Sequence, residues 1–256
     1  MEAGAKVRIG PATIASDLAL KDLFIALGAG WRDFRSDPKY GLFFAAIFVG
    51  GGLGLAYFLL SRGEVFWLIP AAAGYPLLAP FAAAGLYEIS RRHESGKDLG
   101  WGPVLGAVKA GDGQLPVMGV IAFVIFSFWV ILAHTVFGVF LGQAGLGAAP
   151  LETLMSTAGL AMLVVGSAIG SIIALFLFSI MVVSLPMMID REVDFITAII
   201  VSVKSVTSNG PIMLIWAMFI AVLLFLAMLP GFMGLFLVVP LLGHATWHLY
   251  RRVISY

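Results

Sequence analysis

Three histidines, His134, His244 and His248, are the ionisable side chains that fall in or beside the apolar segments of this 256-residue chain. Imidazole in such a position ligates haem or metal, or passes protons. His244 and His248 are four residues apart, so on a helix they share a face. The order of the segments places His134 toward one side of a membrane and the pair toward the other. At 1.5 Å of rise per residue, the two positions are expected to differ by more than about 10 Å in depth. One bis-histidine haem needs its ligands at matching depth, so no cofactor is expected. His134 is expected to hydrogen-bond between helices, and His248 at the interface.

The other constellations read as structural. His93, Glu88, Glu94 and Asp98 have the right types for a metal site, but their flanks are basic and Gly-rich, as in a solvated loop. Gly166-Ser167-Ala168-Ile169-Gly170 has no supporting base at a matching depth, so no serine nucleophile is expected. Ser127, Ser167, Ser171 and Ser179 either line a polar pathway or let helices approach closely. Gly-x-x-x-Gly spacings occur within Gly50-Gly51-Gly52-Leu53-Gly54, at Gly138–Gly142 and at Gly166–Gly170, where they allow close backbone contact. Cysteine is absent, which excludes disulfides, thiol catalysis and Cys-ligated metal. The chain is expected to be no enzyme, with no metal and no cofactor.

The elements that must position these residues follow from composition. The chain is 61% hydrophobic and 11% charged, with net charge +1 and mean hydropathy +1.04. That places it in the membrane class and leaves no basic field for nucleic acid. Charge-free apolar runs cover Gly41–Leu60, Val65–Tyr87, Pro116–Phe140, Thr157–Ser184, Pro211–Leu229 and Gly231–Tyr250. Each is long enough to cross about 30 Å of hydrocarbon as a helix. Pro230-Gly231 divides the last two into a hairpin. Residues 1–13 hold no apolar core of a cleaved signal, so the first span is expected to direct its own insertion.

Of the 15 Lys and Arg side chains only Arg62, and of the 14 Asp and Glu only Glu64 and Glu152, fall on one side of the six runs. The positive-inside rule then puts both termini in the cytoplasm. Arg91, Arg92, Arg251 and Arg252 stand just beyond span ends, where they are expected to meet lipid headgroups. The cytoplasmic segments carry helical stripes. Leu20, Phe24, Leu27, Trp31 and Phe34 recur at i, i+4, i+7, i+11 and i+14, one face of an amphipathic helix. Such a helix lies in the headgroup plane or packs against other spans. Weaker stripes are Trp101, Val104, Leu105 and Val108, then Phe195, Ile199, Val203 and Val206. Each stripe ends in a cation (Arg32, Lys109, Lys204), and a proline follows (Pro38, Pro116, Pro211). The expected fold is all-α and polytopic: one domain over 1–256, with six transmembrane helices and three cytoplasmic-side amphipathic helices. It reads as a threefold internal repeat with units 14–87, 88–189 and 190–256.

The block Ala26-Leu27-Gly28-Ala29-Gly30-Trp31-Arg32-Asp33-Phe34, followed by Pro38 and Gly41-Leu42-Phe43-Phe44, resembles an uncharacterised family of bacterial six-helix integral membrane proteins. That family, a domain of unknown function, is common in alphaproteobacteria. Leu99-Gly100-Trp101-Gly102-Pro103-Val104-Leu105 is similar to its second segment, and the resemblance spans nearly the whole chain. It implies a bacterial inner-membrane location and brings no catalytic residues.

Coupled transporters usually keep ionised side chains inside the membrane, and no predicted span holds Asp, Glu, Lys or Arg. The expected function is therefore a non-catalytic accessory or assembly subunit of a larger bacterial inner-membrane complex. Its partners would be membrane lipids and other integral membrane proteins. The alternative is a carrier or channel for a small neutral or lipidic solute. A polar cavity at mid-membrane would favour the alternative, and a closed bundle with a flat apolar flank the first.

Overall fold

The computed structural model describes residues 12–75, 79–107, 114–142 and 150–256. Among them the order is β1 (Thr13–Ile14), α1 (Leu20–Ser36), α2 (Pro38–Ser61), a 3-10 turn (Val65–Trp67), α3 (Leu68–Gly74), α4 (Ala79–Ser95) and α5 (Trp101–Gly106). Then follow α6 (Leu115–Leu141), α7 (Pro150–Met155), α8 (Thr157–Met181), α9 (Ser184–Asp190), α10 (Phe195–Ser208), α11 (Gly210–Met228), α12 (Leu235–Val253) and β2 (Ile254–Ser255). The fold is all-α apart from one two-stranded antiparallel ribbon, in which β1 pairs with β2 and ties the two ends of the described chain together.

Among the described residues, four stretches are long and apolar enough to cross a membrane: Pro38–Ser61, Leu115–Leu141, Thr157–Asp190 and Gly210–Met228. They coincide with four of the six expected runs. The run Val65–Tyr87 is broken into the 3-10 turn, the seven-residue α3 and the start of α4, with residues 76–78 outside the described residues. The last run became α12, whose second half carries His244, His248, Arg251 and Arg252. Those side chains lower its hydropathy below that of the other four.

Proline sets three of the helix starts. Pro38, Pro116 and Pro211 stand in the first turn of α2, α6 and α11, where a missing amide proton removes no helical bond. These are the prolines that the repeat singled out. Single residues, Asp37 and Asn209, separate α1 from α2 and α10 from α11. The side chain of Asn209 accepts from the amide of Leu18 (3.1 Å) and donates to the carbonyl of Ala15 (2.7 Å), which fastens the chain before α1 to that junction. Of the second unit, the cation Lys109 and Val108 lie outside the described residues.

α12 is the centre of the packing. It touches α1, α4, α2 and α11. Contacts pair Ala15 with Val253, Asp22 with Arg252, and the Gly30 backbone with Ala245. α1 therefore runs antiparallel along α12. A Cβ on Gly30 would stand 2.5 Å from the Ala245 amide nitrogen, so only glycine allows this approach. One side of α1 packs against another helix, which is one of the two placements expected for it. The stripe is divided by it: Phe34 is buried and Leu27 half-buried, whereas Leu20, Phe24 and Trp31 are exposed. The face that α12 covers holds Leu23, Ala26, Ala29 and Gly30 instead. In the third stripe Val206 is buried, and Phe195, Ile199 and Val203 pack on the core. In the second, Val104 is buried while Trp101 and Leu105 are exposed.

The hairpin between α11 and α12 turns at Gly231 (φ 60°) and Phe232 (φ 67°). Phenylalanine rarely adopts that left-handed conformation. Packing holds it there, with the Phe232 ring 6.1 Å from that of Tyr75 and against Gly52.

Candidate functional site

The two ends of α2 meet two different polar environments. The helix has 24 residues, a length of about 36 Å, with Asp37 before it and Arg62 after it.

Beyond Arg62 lies a cavity of about 820 Å³ between the 3-10 turn with α3, α6 and α8. Its walls are mainly apolar, with Trp129, Leu132, Phe137 and Met162 among them. Trp129 is buried, and its indole N–H donates to the Pro70 carbonyl at 3.0 Å, which joins α6 to α3. Gly74 and Gly170 leave room for the ring, since a Cβ on either would stand under 3 Å from it. Polar groups on the lining are Arg62, Glu64, His134, Ser167 and Ser171. The His134 ring stacks on Trp67 with centroids 4.8 Å apart and planes 5° apart. This shape suits a molecule with an apolar body and a polar end.

At the other end, α1, α4 and α12 converge on Asp33. Its Oδ2 accepts from the Ser90 hydroxyl (2.6 Å) and from His248 Nε2 (2.8 Å). Its Oδ1 is 3.5 Å from His93 Nδ1, and His93 Nε2 lies 3.1 Å from Asp37 Oδ2. A histidine facing carboxylates with both nitrogens satisfies both only as imidazolium. Hydrogen bonding to Asp33 raises the His93 pKa, burial works against it, and Asp37 adds to the rise. Burial pushes the Asp33 carboxyl up, but hydrogen bonds from His248, His93 and Ser90 outweigh it and hold the group well below the usual carboxylate range. Ser90 has one hydroxyl proton, which goes to Asp33. Its oxygen therefore accepts from His244 Nδ1–H at 2.8 Å. Ser90 is fully buried and its proton is committed, so it is no nucleophile.

Further ion pairs tie this layer together. Glu88 lies between Arg91 and Arg92, each at 2.7 Å. Glu94 accepts from Trp247 Nε1 (3.1 Å) and Arg251 (3.0 Å), and Arg251 also reaches Asp190 (3.2 Å). Arg252 meets Asp17 and Asp22 at 3.1 and 3.3 Å. Arg92 also donates to the Asp98 carbonyl. The four arginines expected at headgroups thus all point donors at carboxylates of their own chain.

The structure separates the three histidines singled out above. His134 lines the cavity, whereas His244 and His248 share a face and converge on Asp33, His244 through Ser90. His93, Glu88, Glu94 and Asp98 belong to the polar layer, but they converge on no common point: His93 meets Asp33 and Asp37, Glu94 meets Trp247 and Arg251, and only Glu88 and the Asp98 carbonyl share a partner, Arg92. Among the serines, Ser127 and Ser179 return their hydroxyls to the carbonyls of Phe123 and Leu175, while Ser167 and Ser171 line the cavity. Gly50, Gly54 and Gly138 have open space where a Cβ would stand. Sequence reasoning passed over Asp33. Its signal was present: an acid lying on the small-residue side of an amphipathic helix.

Residues 68–190 match the model of a family described as predicted integral membrane protein (DUF2189). The matched stretch contains α3, α6 and α8, the three helices around the cavity, and takes in the Leu99–Leu105 block. The Ala26–Phe44 block lies outside it. No curated protein and no solved structure matches the chain.

Proposed function

We propose that this chain, an integral membrane protein carrying a domain of the DUF2189 family, binds a lipidic amphiphile in the α3–α6–α8 cavity and serves as its carrier. The single observation behind this reading is the cavity itself: about 820 Å³, apolar in the wall, with Arg62, Glu64 and His134 on the lining. Arg62 and Glu64 offer both signs, which suits a zwitterionic or neutral polar head. Trp129 and Met162 face its apolar part. The role is non-catalytic. It goes with a bacterial inner-membrane location, with both termini cytoplasmic and the amphipathic helices on the cytoplasmic side.

Extraction in gentle detergent followed by mass spectrometry of bound lipid tests the reading. Near-stoichiometric retention of one amphiphile class is expected. Gly166 lines the cavity, and the nearest atom to a Cβ there is on Val136 at 3.9 Å. Gly166→Phe should therefore fill the space and release the amphiphile while the protein still elutes as one species. A wild type that carries no amphiphile, or a folded variant that keeps it, overturns the proposal.

A second reading, an accessory subunit of a larger membrane complex, has its own observation. Gly50 and Gly54 lie open on a flank of α2 where Ile47 and Tyr57 are exposed, and close helix contact uses such spacings. Gly50→Leu should then abolish co-purification of a partner. A wild type that purifies only as a monomer, with nothing attached, removes this reading.

A further inference from the structure

The charges of α1 are sorted by sign around its axis. Both acids, Asp22 and Asp33, turn inward: Asp22 is buried against Arg252, and Asp33 is the hub of the polar layer. All three cations, Lys21, Arg32 and Arg35, are exposed, and none forms an ion pair among the described residues. The same outward arc carries Leu20 at 49%, Phe24 at 71%, Ile25 at 64% and Trp31 at 39% exposure. Steps of 100° per residue place Leu20, Phe24, Trp31 and Arg35 within about 60° of one another, and Lys21, Ile25, Gly28 and Arg32 beside them. The outer face is therefore large, apolar and purely cationic.

We propose that this face of α1 docks on anionic lipid headgroups of the membrane that holds the protein. Charge complementarity carries the assignment. A neutral surface would leave three cations without partners, and water alone would leave Phe24 and Ile25 solvated. An anionic bilayer surface meets both needs, with the apolar side chains entering the acyl boundary and the cations at phosphate level. Arg91, Arg92, Arg251 and Arg252 differ, because each faces a carboxylate within the protein. The proposal is independent of the cavity and stands if the cavity reading fails.

The chain has no cysteine, so a single nitroxide at Gly28→Cys reports on this face alone. A Cβ at Gly28 meets only the end of Arg32 at 4.0 Å, so the label fits. The full chain is placed in nanodiscs of phosphatidylcholine, with or without phosphatidylglycerol. Electron paramagnetic resonance should show the label reached by oxygen and shielded from a water-soluble nickel relaxant. Native mass spectrometry should show phosphatidylglycerol retained over phosphatidylcholine. In Lys21→Gln/Arg32→Gln/Arg35→Gln that preference should fall about fivefold per cation removed. Lys97→Gln/Lys204→Gln, which removes two cations outside α1, should leave it unchanged. A label open to the nickel relaxant, or a triple variant that elutes normally and keeps the wild-type preference, overturns the proposal. A label shielded from both relaxants means that protein covers the face, and also overturns it.

Discussion

At the α1 end of α2, polar side chains answer one another; at the Arg62 end, they face open space. Asp33 collects Ser90, His93 and His248, and His244 joins through Ser90. The cavity instead presents Ser167, Ser171 and His134 on an apolar wall. Buried polar groups are costly unless paired, so a paired cluster fixes how helices meet. Polar groups left facing a cavity are available to a ligand. The first region is read as the joint that holds α1, α4 and α12 together. The second is read as the place where the protein meets something else.

The largest expected effect comes from breaking the joint. Asp33→Ala leaves His93 and His248 without their shared carboxylate and Ser90 without its acceptor. Removing one partner of a buried charged network costs about 3–5 kcal/mol. Thermal unfolding in detergent should register that loss, whereas Arg62→Ala at the other end should change stability by less than about 0.5 kcal/mol. Equal losses at both ends would erase the distinction between them.

Glycines sharpen the same contrast at smaller magnitude. Gly30→Ala drives a methyl into the Ala245 backbone and should cost about 1–3 kcal/mol by overpacking. Gly50→Ala meets nothing within 4 Å and should stabilise α2 by about 0.5–1 kcal/mol, the ordinary gain for alanine over glycine in a helix. A Gly30→Ala protein as stable as wild type would mean that α1 does not sit against α12.

Acidity probes the joint without a large structural change. The His93 pKa is raised by Asp33 and Asp37. A raised folded-state pKa gives stability that is complete below the unfolded value, about 6.5, and lost as pH rises through the folded value. Melting temperature should therefore fall as pH rises above about 6.5 more steeply in wild type than in His93→Gln. Comparing the two cancels His248, which shares Asp33 and is present in both. Parallel curves would show that His93 carries no charge in this site.

Much of this contrast was legible in the sequence, and the reasons for the rest are physical. Length and composition identify α2, α6, α8–α9 and α11, because a membrane-crossing helix must be long and apolar. Pro38, Pro116 and Pro211 mark helix starts by their missing amide protons. α12 was less legible: its second half is polar because α1, α4 and α9 supply partners, and pairing is invisible in one segment read alone. The stripe on α1 rests on helical spacing alone, and spacing does not say which part of it another helix covers. In this molecule Ala26, Ala29 and Gly30 form the covered side, because small residues let two helices approach. The cavity was only hinted at by Ser167, Ser171 and His134, which come from helices whose adjacency no spacing rule announces.

The smallest expected effect lies between two serines that look alike in sequence. Ser127 donates to the Phe123 carbonyl, four residues earlier on its own helix, at 2.8 Å. Ser167 lines the cavity. Ser127→Ala and Ser167→Ala should each shift stability by less than about 0.5 kcal/mol, since neither hydroxyl holds two helices together. The variants should separate in bound lipid. A hydroxyl that returns to its own backbone is invisible to a ligand, so Ser127→Ala should retain as much amphiphile as wild type. A cavity hydroxyl that contacts a bound molecule contributes about 0.5–1.5 kcal/mol, and Ser167→Ala should retain correspondingly less. Lipid mass spectrometry on the two variants, purified side by side, makes the comparison. Equal retention would leave the Ser167 hydroxyl without a role in binding and confine the polar contacts to Arg62, Glu64, His134 and Ser171.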